Sequence, residues 1–207
     1  MTGTAGIVDF GLCNLDSIAR AVERCGWKAR ISRDRGSLGQ VDKIILPGVG
    51  AFARAMDNLR QAGLDREIRD ERDRRAVPLL GICLGMHLLA DRGDEGGVTD
   101  GLGLIPGDVR QMTPSAAGER WPHIGWNEVH PETAHPILRG IEQGADFYFV
   151  HGYHFVPRSS ASIVATTPYC GGFVSVAAAG DDVMGVQFHP EKSLGMGATV
   201  LRNFLDL

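Results

Sequence analysis

Residues 77–91 tie this chain to one local geometry. Val77-Pro78-Leu79-Leu80 is a short apolar run that reads as a buried strand, and Leu84, Leu88 and Leu89 recur at helical spacing over residues 84–91. Between them stands Gly81-Ile82-Cys83-Leu84-Gly85. A strand that passes directly into a helix must turn sharply, and glycines two residues before and after the joint remove the side chains that would collide there. Cys83 occupies that joint and faces a helix N-terminus, which favours a thiolate. Two readings are open: a nucleophile on an elbow, or a core cysteine, the usual fate of a free thiol.

A second cluster bears on that choice. Residues 183–188 read as a strand that ends in His189-Pro190-Glu191. In an α/β sheet a strand-end histidine can reach a strand-end cysteine, and a carboxylate two residues on can hold its ring. Nucleophile, base and orienter then follow in the chain order Cys83, His189, Glu191. Taken singly, His189 also fits a structural histidine and Glu191 a carboxylate at the start of the last helix.

The first half of the chain alternates strand and helix. Strands are expected at residues 4–9, 27–31 and 43–46, the last stopped by Pro47-Gly48-Val49-Gly50. A helix after Asn14, its expected N-cap, carries Leu15, Ile18, Val22 and Cys25 on one face. A second runs from residue 51 to about 61, and the charged run over 65–75 reads as a solvated helix face. Such alternation argues a mainly parallel sheet flanked by helices. In the second half, strands are expected at 102–105, 108–112, 147–150, 162–167 and 173–178. Gly180-Asp181-Asp182 suits a hairpin into the strand before His189, and a helix over 193–207 closes the chain. No linker or repeat divides residues 1–207, so a single α/β domain with an antiparallel extension is expected.

Composition removes several classes of function. A net charge of −4 offers no basic face to nucleic acid or anionic lipid. The first ten residues lack a signal-peptide pattern and no 18-residue apolar stretch occurs, so no membrane association is expected. Four scattered cysteines, Cys13, Cys25, Cys83 and Cys170, have neither zinc spacing nor the density of a disulfide framework, which points to a reduced cytoplasmic compartment. His151 and His154 form an H-x-x-H pair, but on a strand that spacing splits them between faces, and no metal is expected there. Neither a P-loop nor a dinucleotide fingerprint is present, and no cofactor is expected.

The elbow, the Pro47-Gly48-Val49-Gly50 loop and His189-Pro190-Glu191-Lys192-Ser193 together resemble the class I, triad-type glutamine amidotransferases, whose fold is flavodoxin-like. Asp9-Phe10-Gly11 through Asn14-Leu15, Pro122-His123-Ile124-Gly125-Trp126-Asn127 and Tyr148-Phe149-Val150-His151-Gly152-Tyr153 resemble, more narrowly, the glutaminase subunits of imidazole glycerol phosphate synthases. The likeness runs from end to end.

The resemblance implies that Cys83 attacks the side-chain amide of L-glutamine, with His189 and Glu191 as its partners. The oxyanion would be met by the Leu84 N–H and by a donor from Gly48, Val49 or Gly50. Gly85, His87, Glu95, Gly152 and Tyr153 would contact the substrate. Two of these depart from the family: His87 stands where glutamine is usual, making a pH-sensitive contact, and Gly152 where Ser or Thr is common. Ammonia released in water is soon protonated, so an acceptor site on a second polypeptide is expected. In the resembled family that partner is a (β/α)8-barrel cyclase subunit forming a heterodimer, and Asn14, Trp126 and Lys192 are candidate contacts. For Trp126 a core position is the competing reading. Two alternatives keep the chemistry: a related glutaminase serving a sugar-amidating synthetase, and a stand-alone γ-glutamyl cysteine hydrolase.

Overall fold

The structure is a computed structural model and describes residues 3–207. In chain order its elements are β1 (Thr4–Val8), α1 (Leu15–Arg24), β2 (Lys28–Ser32), β3 (Lys43–Gly48), α2 (Phe52–Ala62), α3 (Leu64–Arg75), β4 (Leu79–Cys83) and α4 (Leu84–Leu88). There follow the two-residue strands β5 (Arg92–Gly93) and β6 (Thr99–Asp100), then β7 (Gly107–Gln111), β8 (His123–Pro131), β9 (Ala145–His151) and β10 (Tyr153–Pro157). Last come β11 (Ile163–Thr167), β12 (Phe173–Ala179), β13 (Val183–Val186) and α5 (Leu194–Leu205).

Nine strands form one sheet in the order β2-β1-β3-β4-β13-β12-β11-β8-β9. The first five are parallel, and from β12 onward each neighbour is antiparallel. This is the mainly parallel sheet with an antiparallel extension that the residue pattern predicts. The inner parallel strands β1, β3, β4 and β13 are buried on both faces, as their near-continuous apolar runs require, whereas the edge strand β2 alternates exposed and part-buried residues. Ile45, Leu80 and Ile82 pack with Ile18, Val22 and Val200, whereas the alternate residues Ile44, Leu46 and Leu79 pack with Met56, Leu59 and Ile68. One face therefore lies against α1 and α5 and the other against α2 and α3. A four-stranded sheet, β10-β7-β5-β6, sits with the second group through Val109 and Phe155.

Several expectations need correction. Residues 102–105 form no strand: Leu102, Leu104 and Ile105 use their N–H groups on the Leu88 and Leu89 carbonyls, so they wrap the end of α4. The helix after Cys83 stops at Leu88 rather than reaching Asp91. Strand β8 alternates in exposure but turns its apolar Ile124 and Trp126 to the exposed face, which hid it from a periodicity reading. The charged run over 65–75 is not only a solvated face. Asp65, Glu67 and Glu71 are buried; Glu67 accepts the Leu38 N–H at 2.8 Å, and Arg72 donates to Val77 O at 2.9 Å and Asp182 Oδ2 at 2.8 Å. Among the described residues, no helix is long and apolar enough to cross a membrane.

Candidate active site

The elbow is real backbone geometry. Cys83 has φ 54° and ψ −112°, a conformation that costs about 1–3 kcal/mol for a residue with a side chain and persists only where its surroundings enforce it. Those surroundings are close backbone approaches. A Cβ on Gly85 would fall on the Leu46 carbonyl oxygen of β3, and one on Gly81 would lie 2.6 Å from the Gly85 carbonyl oxygen. The first turn of α4 is thus pressed onto the sheet, and the Cys83 side chain is turned off its end.

Strand order supplies the second group. β13 is inserted beside β4 in parallel register, Val186 opposite Ile82. The chain leaving β13 carries His189 past the end where Cys83 turns. His189 is fixed from both sides: its N–H donates to Tyr148 O on β9 at 2.9 Å, and its carbonyl accepts the Ser193 hydroxyl at 2.7 Å. The same hydroxyl accepts the Tyr148 N–H at 3.0 Å, so a buried serine clamps the loop to β9. Phe188 packs on Phe147 with ring centroids 4.0 Å apart.

His189 Nδ1 lies 2.8 Å from Glu191 Oε1, with both side chains almost sealed from solvent. Nε2 is buried and makes no hydrogen bond of ordinary geometry, leaving it available toward the sulfur. Burial is the strongest single influence on the ring and favours its neutral form. Cys83 and Glu191, through hydrogen bonding and charge, together outweigh it and raise the pKa to about 10. A ring so placed readily takes a thiol proton and holds it for a leaving amine.

Cys83 opens into a cavity of about 510 Å³. Its walls include Val49, Gly50 and Ala51 from the loop after β3, Leu84 and His87 from α4, and Glu95. Trp121 and Pro122 close another side, and Val150, His151, Gly152 and Tyr153 come from the β9–β10 turn. Of the residues expected at substrate, His87, Glu95, Gly152 and Tyr153 line this space. Gly85 does not, because its role is the close contact with Leu46 just described. Gly48 is also absent from the wall: it is buried opposite Cys83 in the β3–β4 register, where a Cβ would meet the Phe10 ring at 2.9 Å.

Glu95 accepts the Phe52 N–H at 2.8 Å, which sets its carboxylate at the start of α2 rather than in a solvated loop. Gly152 is covered by Trp121, whose Nε1–H donates to its carbonyl at 2.8 Å; a Cβ at 152 would sit 3.0 Å from that indole. His87 is buried and its Nε2 is 2.7 Å from Gln187 Oε1. Burial lowers its pKa to about 4, so the expected pH-sensitive contact near neutrality gives way to a neutral ring already engaged elsewhere. The Val49 N–H donates to Leu12 O at 2.8 Å and is therefore spent outside the cavity.

His151 ends β9 and His154 lies on β10, with Gly152 between them, so the H-x-x-H pair is split by a turn. His151 contacts His123 at 3.1 Å and the Tyr153 carbonyl at 2.8 Å. No group of three or more potential metal ligands occurs among the described residues. Trp126 is 49 % exposed, which removes the core reading. Its ring lies 5.9 Å from that of Tyr148, and Lys192 Nζ sits 5.7 Å from the centroid of the same tyrosine. Asn14 is exposed at the start of α1 and makes no side-chain cap, contrary to its expected capping contact. The sequence reading missed Gln187, and its only signal was a lone amide in an otherwise apolar strand.

Comparison with known proteins agrees with this geometry. In sequence the chain is 46% identical to the imidazole glycerol phosphate synthase subunit HisH of Moorella thermoacetica over 97% of this chain and 93% of that protein. It is 43% identical to the protein of the same name from Brucella abortus, over 96% of each, and 45% identical to that from Xanthomonas axonopodis pv. citri, over 100% and 98%. In fold it is similar to a crystal structure titled glutamine amidotransferase (TM-score 0.77, 20% identity, 99% and 98% coverage) and to PurLQS from Thermotoga maritima (TM-score 0.77, 20% identity, 100% and 99%). The profile of the family described as "Glutamine amidotransferase class-I" matches residues 6–207, and the chain belongs to that family.

Proposed function

We propose that this protein is the glutaminase subunit of an imidazole glycerol phosphate synthase, hydrolysing L-glutamine and handing ammonia to a synthase partner in histidine biosynthesis. One observation carries the chemistry: a cysteine on a strained elbow opens into a pocket and has a buried His–Glu pair beside its sulfur. His189 takes up the thiol proton of Cys83, and the resulting thiolate attacks the glutamine amide carbon. Glu191 holds the imidazolium in orientation and offsets its charge. His189 then delivers that proton to the departing nitrogen, leaving a glutamyl thioester and ammonia. Water, deprotonated by the same ring, cleaves the thioester to glutamate.

The tetrahedral oxyanion calls for donors on the Leu84 side and on the loop side of the sulfur. The Leu84 N–H follows the nucleophile directly. The Val49 N–H is bonded to Leu12, so in this conformation the loop donor is withheld. Turning that peptide inward would complete the hole, and one such donor is worth about 10²–10³ in rate. Gly50, at φ 107°, gives the loop a hinge. A partner that seats on this face couples its own occupancy to glutamine hydrolysis.

The names of the curated relatives make each of them a subunit of a synthase. The family resemblance makes the partner a (β/α)8-barrel cyclase. Trp126, Ile124 and Trp121 leave 49, 62 and 49 % of their surfaces exposed. With Lys192 and Asn14 they form our candidate docking face, its large aromatic side chains of the kind that commonly anchor interfaces. The test is Cys83→Ala in complex with a cyclase subunit of an imidazole glycerol phosphate synthase. Glutamine-dependent synthesis is lost while ammonia-dependent synthesis survives; an alanine variant that still hydrolysed glutamine would overturn the assignment.

A further inference from the structure

Gln187 is fully buried just beyond β13, two residues before His189, and its N–H is tied to Ser175 O at 2.9 Å. Its side chain lies between two neighbours. Oε1 is 2.7 Å from His87 Nε2, and Nε2 is 3.9 Å from Cys83 Sγ, within reach of an N–H···S hydrogen bond. An amide can be turned end for end, but the sulfur decides its direction. In a water-poor pocket an amide oxygen against a thiolate would set two electron-rich atoms together, whereas an N–H is a donor the anion can use. Oε1 then faces His87, which must carry its proton on Nε2. A neutral imidazole can do this, and burial keeps this one neutral.

We propose that the Gln187 side-chain amide donates to the Cys83 thiolate, and that His87 is the positioning residue that locks this amide in place. The proposal rests on Cys83 being the nucleophile and extends that reading. It explains why histidine is accepted at 87: the ring serves the sulfur through Gln187 rather than the amino-acid end of the substrate. The donor acts twice. It holds the thiolate before attack, and it meets the sulfur again when water has added to the thioester and the carbon–sulfur bond breaks with its electron pair returning to sulfur. The other titratable groups around this space are His189 and Glu191 after β13, His151 on β9, Tyr153 and His154 on β10 and Glu95 before β6.

The experiment uses the full chain and follows alkylation of the Cys83 peptide by iodoacetamide across pH, by mass spectrometry, so that Cys13, Cys25 and Cys170 do not interfere. In Gln187→Leu the rate at pH 7 falls about tenfold and the profile moves to higher pH, the size expected for one lost charge-assisted hydrogen bond. Gln187→Glu, which sets a carboxylate beside the sulfur, falls further. His87→Phe, which frees the amide, falls less. In the complex, kcat for glutamine drops in step while KM changes by less than about threefold. Unmoved alkylation profiles in these variants overturn the proposal, as does a His87→Phe variant that raises KM with kcat intact. Should Gln187→Leu fail to fold, as judged by its thermal melt, Gln187→Asn decides the matter, because one methylene fewer withdraws the amide from sulfur. Hydrolysis by Cys83→Ala would instead refute the nucleophile itself, a failure distinct from these.

Discussion

Glu191→Gln keeps the shape of the side chain that orients His189 and removes its charge. The contact is 2.8 Å between two nearly sealed groups. At an effective dielectric of about 20 it represents about 6 kcal/mol of Coulomb attraction for the protonated ring, before desolvation is subtracted. The net result is a ring raised from 6.5 to about 10, and at about 1.4 kcal/mol per tenfold step the site favours imidazolium by roughly 5 kcal/mol. Cys83 and Glu191 together produce that surplus against burial. Glutamine at 191 removes the carboxylate's share of that surplus, on the order of 2–3 kcal/mol, and slows hydrolysis by about 10²-fold. The assay is glutamate release by the complex as a function of pH. We expect kcat to fall with little change in KM and the alkaline limb to move down by about one to two pH units. The linked stability has a definite sign. Because folding raises this pKa, the stabilisation is complete below about pH 6.5 and disappears as pH rises through about 10. The difference in Tm between wild type and variant is therefore widest near pH 6 and narrows toward pH 10. A variant with kcat within threefold of wild type and an unmoved alkaline limb would refute the claim that Glu191 sets the base.

Three further outcomes follow from named contacts. Ser193→Ala removes the hydroxyl that joins His189 O to Tyr148 N–H and leaves that N–H without its partner. Denaturant unfolding should show a loss of about 1–3 kcal/mol, with a fall in kcat larger than the change in KM. Gly50→Ala places a side chain at φ 107°, where its Cβ would meet only Leu12 at ordinary contact distance but the backbone is strained. Its fold should survive while partner-stimulated hydrolysis drops about tenfold, the equivalent of about 1–2 kcal/mol. Gly85→Ala drives a methyl into the Leu46 carbonyl; soluble yield and Tm should both collapse, since overpacking a tight contact costs about 1–3 kcal/mol or more.

The first half of the fold was legible because the inner parallel strands are apolar runs and helices α1 and α2 each have one apolar face, so the two periods do not compete. The strand at 43–48 and helices α2 and α3 fall within a residue or two of expectation. The second half was harder. β8 exposes Ile124 and Trp126 for reasons unrelated to its own sheet, so its pattern reports a surface rather than a strand. Residues 102–105 are apolar because they cap α4, and a short apolar run looks alike in either role. The acidic residues of α3 are spaced like a solvated face, but nothing local says that Glu67 will meet a loop N–H from residue 38. At the site, glycine spacing announced Cys83 and a histidine at a strand end announced His189. Gln187 and Ser193 act through partners that are 104 and 45 residues away in sequence, so only the fold could reveal them.

Bringing residues 83 and 189 together depends on β13 more than on any contact between them. The strand arrives from an antiparallel hairpin with β12 and yet runs parallel to β4, so its C-terminal end shares an edge with the elbow. A classical strand–helix–strand crossover into that slot would also deliver a parallel strand. The hairpin instead brings β12, carrying Ser175, alongside and ties Gln187 to it before the chain reaches His189. The fit is tight on the other side too. A Cβ on Gly185 would meet Met86 of α4, so β13 can lie beside the elbow only because this position lacks one. Gly81, Gly85 and Gly185 therefore act as one unit, the first two shaping the turn at Cys83 and the third admitting the strand that brings its base. The glycine pattern that first identified the nucleophile is only two-thirds of the device; the remaining third lies a hundred residues later, in the strand that ends at the histidine.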